Sequence, residues 1–167
     1  MRDLFNLKSN LYCLDTNVFI QAWNNYYSPA KAASYWEILD DLAKNGLIFS
    51  PLDVKKEIEK SDDDLKKWIK KREYFFRKPD ERVTLKVSEI LAQYSGLVDN
   101  VKGRSLADPW VIALAEVEGA IVVTKEGMSE SNKKIRIPDV CKVRGIECID
   151  DFTFIDRMGI KFSATKK

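Results

Sequence analysis

The chain has 167 residues, 45% of them hydrophobic and 32% charged, with a formal net charge of +2. That is the length and composition of one globular domain with a sizeable core, and it excludes a disordered polyelectrolyte. No apolar run approaches the roughly 20 residues of a membrane span, and Met1-Arg-Asp-Leu-Phe-Asn lacks the apolar core of a signal peptide, so a soluble, cytoplasmic protein with no membrane partner is expected.

Histidine is absent, which removes imidazole-based triads and His-ligated zinc from consideration. Hydrolytic chemistry is left to carboxylates, lysine or a bound metal, and oxygen ligands suit Mg²⁺ or Mn²⁺. Cys13, Cys141 and Cys148 have no Cys-x-x-Cys spacing and read as free, mostly buried thiols.

In chain order, Leu11-Tyr-Cys-Leu14 is a short run apolar on both faces, the pattern of a buried central strand. Asp15 and Asn17 follow it directly. Ser34-x-x-Glu37 reads as a capping box opening a helix over 34–45, which stops at Asn45-Gly46. Leu47-Ile-Phe-Ser50 is a second strand, after which Ser50 is expected as N-cap and Pro51 as first residue of a helix. Leu65, Trp68, Ile69, Phe75 and Phe76 form one helical stripe, and Val83, Val87, Ile90, Leu91 and Tyr94 another, with Pro79-Asp80 between them. Ser105-Leu-Ala-Asp108-Pro109 opens a further helix that ends at Gly119, and Ala120-Ile-Val-Val-Thr124 is a β-branched strand. Ile146-Glu-Cys-Ile149 is a last short strand. The pattern is a three-layer α/β/α domain over residues 1–160 with a mainly parallel central sheet, and a frayed tail over 161–167.

Four acids stand where a strand ends or a helix begins: Asp15, Glu57, Asp108 and Glu126. On a parallel sheet these connections share the carboxyl edge, so the four can meet in one cleft. Their repulsion would raise their pKa values unless divalent cations bind. Each acid also has a plainer explanation. Asp15 and Asn17 would cap a helix or turn, Asp108 would neutralise a helix N-terminus, Glu57 would sit on a solvated helix face, and Glu126 would be a loop residue.

Leu14-Asp15-Thr16-Asn17, Val54-x-x-Glu57-Ile58, Leu106-Ala-Asp108-x-x-Val-Ile-Ala-Leu-Ala115 and Val122-Val-Thr124-Lys-Glu126 together resemble the PIN-domain nucleases over residues 11–150. Where the family usually has Asp or Asn, this chain has Glu126. Ile137-Pro138-Asp139-Val140-Cys141 is similar to a stretch found before the last helix in a group of PIN-like proteins. The resemblance implies that Asp15, Glu57, Asp108 and Glu126 are catalytic and hold Mg²⁺ or Mn²⁺, with Asn17 and Thr124 ordering the site. It further implies a ribonuclease resembling the VapC toxins of toxin–antitoxin pairs, hence a homodimer and an antitoxin partner.

From Lys66 to Lys78 seven basic residues stand against Glu73 alone, interleaved with Trp68, Tyr74, Phe75 and Phe76. This is a candidate surface for single-stranded or looped RNA, with Lys66, Lys67, Lys70 and Lys71 contacting phosphates. The alternatives are core aromatics and a solvated lysine face. A second basic stretch runs through Lys133, Lys134, Arg136, Lys142 and Arg144. The expected function is a Mg²⁺- or Mn²⁺-dependent endoribonuclease. A PIN-like module that binds RNA or protein with little cleavage is the competing reading. A haloacid-dehalogenase-like phosphatase is disfavoured, because it needs a second Asp where Asn17 stands.

Overall fold

Tyr12–Leu14 forms strand β1, and its burial on both faces follows from its place at the centre of a five-stranded sheet of order β3-β2-β1-β4-β5. The computed structural model describes residues 10–61, 63–129 and 134–167. The other strands are β2 (Ile48–Pro51), β3 (Phe76–Arg77), β4 (Ile121–Val123) and β5 (Cys148–Ile149). Every pairing is parallel; Cys13 lies opposite both Phe49 and Val122. Parallel strands require crossovers, and helices supply them.

These helices are α1 (Thr16–Gln21), α2 (Pro29–Lys44), α3 (Leu52–Ser61), α4 (Asp63–Lys70), α5 (Glu81–Gln93), α6 (Asp108–Glu118), α7 (Ile137–Arg144) and α8 (Asp151–Arg157). Successive strand residues point to opposite faces, which shows how the sheet is covered. The Cys13 thiol faces α6, 3.6 Å from the Val111 carbonyl, while the Tyr12 ring packs edge-on against Phe154 of α8 at 5.1 Å. Helix α6 is buried along most of its length and lies between the sheet and α5. Among the described residues no helix is long and apolar enough to cross a membrane.

Several local expectations change. Helix α2 begins at Pro29 behind Ser28 rather than at Ser34, and Ala32 breaks its geometry. Ser50 does not cap a helix: Pro51 stays in β2, and the Ser50 hydroxyl donates to the Leu14 carbonyl at 2.6 Å, tying β2 to β1. Phe75 and Phe76 leave the helical stripe at α4's end. Phe75 closes a 3₁₀ turn and Phe76 starts β3, and burial of both rings carries the chain into the sheet. Ile137-Pro138-Asp139 is itself the start of α7, followed by β5 and α8. Beyond Gly159 there is no helix or strand, and Phe162 stacks on Tyr27 at 4.7 Å. Cys13 and Cys141 are buried free thiols and Cys148 is half-buried.

Candidate active site

The chain leaves β1 toward β2 on one side and, later, β4 lies on the other, so the crevice beyond β1 and β4 is the switch point of the topology. Open α/β sheets place ligands there. Asp15 is the first residue past β1 and stays locked to it, its N–H donating to the Val123 carbonyl at 2.9 Å. It also caps α1, with Oδ1 accepting the Thr16 N–H at 2.7 Å. Its Oδ2 accepts from the Thr124 hydroxyl at 2.8 Å. Asp15 therefore both caps a helix and presents a carboxylate to the crevice.

Thr124, just past β4, is the centre of a small network. Its oxygen accepts from Asn17 Nδ2 at 3.3 Å and from the Glu126 N–H at 3.1 Å, while Asn17 Oδ1 accepts the Lys125 N–H at 2.9 Å. Asn17 and Thr124 thus bind the loop after β4 to the start of α1. Glu57, one face of α3, reaches across to two elements: Oε2 accepts the Thr16 hydroxyl at 2.7 Å and Oε1 accepts the Ala107 N–H at 2.9 Å. Asp108 opens α6 just ahead of Pro109, and its N–H donates to the Ser105 carbonyl at 3.2 Å. Glu126 Oε2 accepts the Ile137 N–H at 3.3 Å, at the positive end of α7.

These four acids line one cleft of about 230 Å³ together with Thr16, Asn17, Ile20, Gln21 and Ser105. Among the described residues no lysine or arginine lines it. Burial, opposed by the Thr124 and Thr16 hydrogen bonds and reinforced by the charges of Glu126 and Glu57, pushes the Asp15 carboxyl up to about 7. Burial and then the charges of Asp15, Glu126 and Glu57 push Asp108 up to about 9. Four converging carboxylates form a donor set that fits a hard divalent ion. Among the described residues, though, no three acids stand close enough to share one ion as they are. Glu57 is bonded instead to the Ala107 N–H and Glu126 to the Ile137 N–H.

Thr16 and Ser105 escaped the sequence reading as site residues. The available signals were local: Thr16 lies inside Asp15-Thr-Asn17, and Ser105 lies three residues before Asp108. The neighbouring Lys125 is spent elsewhere, paired with Asp151 at 2.7 Å and placed over the rings of Tyr26 and Phe152 at 4.5 and 4.0 Å.

Lys66, Lys67 and Lys70 on α4 and Lys71 just past its end are exposed and do not line this cleft; Lys67 pairs with Asp64 at 3.7 Å. The interleaved aromatics belong mainly to the interior. Phe75 and Phe76 are buried, Trp68 packs on Trp36 at 5.1 Å, and Tyr74 donates to Asp40. In the second basic stretch Arg144 is taken up by Glu116 and Glu89, and Lys133 lies outside the described residues.

The fold is similar to two solved assemblies. VapBC2 from Rickettsia felis, bound to a DNA fragment from their promoter, matches with TM-score 0.51 and 18% identity over 84% of this chain and 98% of the other. VapBC-1 from nontypeable Haemophilus influenzae matches with TM-score 0.53 and 16% identity over 84% and 97%. These likenesses show the PIN-like α/β/α fold that the motifs imply. No curated protein matches the chain in sequence. A family model matches residues 12–162, and the chain belongs to that family, described as a domain of unknown function (DUF4411).

Proposed function

We propose that this chain is a Mg²⁺- or Mn²⁺-dependent endoribonuclease, acting as the toxin of a toxin–antitoxin pair. The observation that carries the catalytic reading is the convergence of Asp15, Glu57, Asp108 and Glu126 on one cleft at the sheet's switch point. Asp15 and Asp108, the two buried acids, would hold the primary ion, and Glu57 and Glu126 would complete or widen its coordination. When bound, such an ion lowers the pKa of a water for attack on a phosphodiester and stabilises charge on the leaving oxygen.

The protein's own contribution is positional. Thr124 and the Thr16 N–H fix both Asp15 oxygens, and Thr16 and Ala107 fix Glu57. Side chains locked this way arrive at the reacting geometry without paying orientational entropy at the moment of reaction. The two solved neighbours are VapBC assemblies, which supports an inhibitory partner protein for this chain; a homodimer in the cytoplasm is part of the same proposal.

The test is cleavage of a short single-stranded RNA with and without Mn²⁺. Wild-type protein is expected to cut only with the ion, and Asp15→Asn to fold normally while losing activity by orders of magnitude. Full metal-dependent activity in Asp15→Asn would remove Asp15 from the site, metal-independent cleavage by the wild type would overturn the metal-site reading, and absent cleavage would leave a binding module.

A further inference from the structure

The acidic cleft carries no side-chain cation among its described lining residues, so contacts to the phosphates that flank the scissile one have to come from outside it. Directly beside the cleft lies a groove of about 570 Å³ lined by Lys102, Arg104 and Lys134, with Ser105 on the wall common to both.

The groove is built by the connection between α5 and α6. Leu97 is buried and anchors it, and Asp99 and Arg104 pair backbone to backbone, with N–H to carbonyl distances of 3.1 and 3.0 Å. Asp99 Oδ1 accepts the Lys102 N–H at 3.0 Å, and Gly103 takes φ +61, so the chain turns tightly. Lys102 and Arg104 are left exposed. Ser105 follows in the left-handed region at φ +59, and this reversal returns the chain to Asp108. Opposite, Ile135 lies over Gly96, whose missing Cβ would stand 3.7 Å from Ile135 Cδ1; this brings Lys134 to the same groove.

Charge use sets these three apart from the ion-paired cations, and position sets them apart from Lys66, Lys70 and Lys71, which likewise show no carboxylate partner among the described residues but line neither cavity. Elsewhere Arg82, Lys86, Arg144 and Arg157 are engaged by carboxylates. Among the described residues no carboxylate pairs with the side chains of Lys102, Arg104 or Lys134, and the acid in the groove, Asp99, is occupied in capping the turn.

We infer that this groove holds the phosphates of a single-stranded RNA segment running from the acidic cleft past Ser105, with Lys102, Arg104 and Lys134 as its phosphate contacts. The inference rests on the nuclease reading for the direction of the strand, but its binding test is separate from catalysis. An isolated cation on a surface is usually solvated; three unpaired ones around one groove that opens beside the cleft form a continuous path. Helix α4, which carries the other lysine-rich face, lines neither cavity.

The experiment measures binding of a labelled single-stranded oligoribonucleotide over a range of salt, using Asp15→Asn with Mg²⁺ and, as a repeat that needs no site variant, wild-type protein in EDTA. Lys102→Gln/Arg104→Gln/Lys134→Gln is expected to weaken binding by about 10- to 100-fold at low salt and to flatten the salt slope by about 2, from three lost phosphate contacts at roughly 0.7 each. The charge-matched Lys66→Gln/Lys70→Gln/Lys71→Gln should change affinity by less than about threefold at the same salt. Equal or larger loss in the α4 variant, unchanged binding in the groove variant, or equally tight groove-dependent binding of duplex RNA would overturn the inference. Groove-dependent binding by a wild-type protein that cuts nothing with Mn²⁺ would sink the nuclease reading and leave this one standing. Metal-dependent cleavage with unchanged binding by the groove variant would do the reverse.

Discussion

The Thr124 hydroxyl donates to Asp15 Oδ2 at 2.8 Å, joining the residues that end two adjacent parallel strands. Because the hydroxyl's lone pairs also receive the Asn17 amide and the Glu126 N–H, one side chain sets both the Asp15 carboxylate and the loop that carries Glu126.

Thr124→Val keeps shape and β-propensity but removes the donor. It is expected to lower Mn²⁺-dependent cleavage by about 10- to 100-fold, the effect of losing one hydrogen bond of roughly 1.5–3 kcal/mol to a charged group. Thr124→Ser should recover most of it. Steady-state cleavage rates at saturating Mn²⁺ decide the matter, and equal rates for the Val and Ser variants would show that only packing counts at this position.

Stability of the EDTA-treated protein should depend on pH in a defined sense. Asp15 and Asp108 have folded-state values raised above the ordinary carboxylate value of 3.8, so the folded state binds more protons than the unfolded one. Their contribution is fully present below about pH 4 and is lost as pH rises through about 7 for Asp15 and about 9 for Asp108. Thermal melting is expected to show the metal-free protein less stable at pH 9 than at pH 6. Mg²⁺ should raise Tm most at the higher pH, where both carboxylates are ionised. A Tm unaffected by Mg²⁺ at pH 9 would contradict the metal site.

Glu126 differs from the other acids in being held by the first N–H of α7. Glu126→Gln keeps that acceptor, so it should fold normally and reduce activity less than Asp15→Asn. Higher Mn²⁺ should partly restore it by filling a weakened site. A Glu126→Gln protein as inactive as Asp15→Asn at every Mn²⁺ concentration would make Glu126 a primary ligand.

Away from the cleft, the Tyr35 hydroxyl is buried with no hydrogen-bond partner among the described residues. Removing an unsatisfied buried polar group relieves a desolvation cost, so Tyr35→Phe is expected to leave stability unchanged or raise it by up to about 1 kcal/mol. Loss of more than that on chemical denaturation would reveal an interaction of the hydroxyl, for instance with the unpaired Asp151 Oδ2.

Much of this architecture is legible in the chain. Short apolar runs ending in Asp15 and Thr124 read as buried parallel strands because parallel sheets are covered on both faces, and Asp108-Pro109 and Gly119 mark α6 through cap chemistry that is local in sequence. Strand β3 was not legible. At two residues, inside an aromatic and basic stretch, it has no periodicity of its own, and only the burial of Phe75 and Phe76 against the sheet draws it out of the helix. The same limit applies to Ser50, whose hydroxyl chooses the Leu14 carbonyl over a helix cap because β1 is next to it in space. Residue types and their places at strand ends therefore determined the acidic set. Tertiary packing decided which hydroxyls and N–H groups hold it, and that Lys102 and Arg104 share a groove with Lys134, because contacts across 30 to 100 residues of chain leave no local pattern to read.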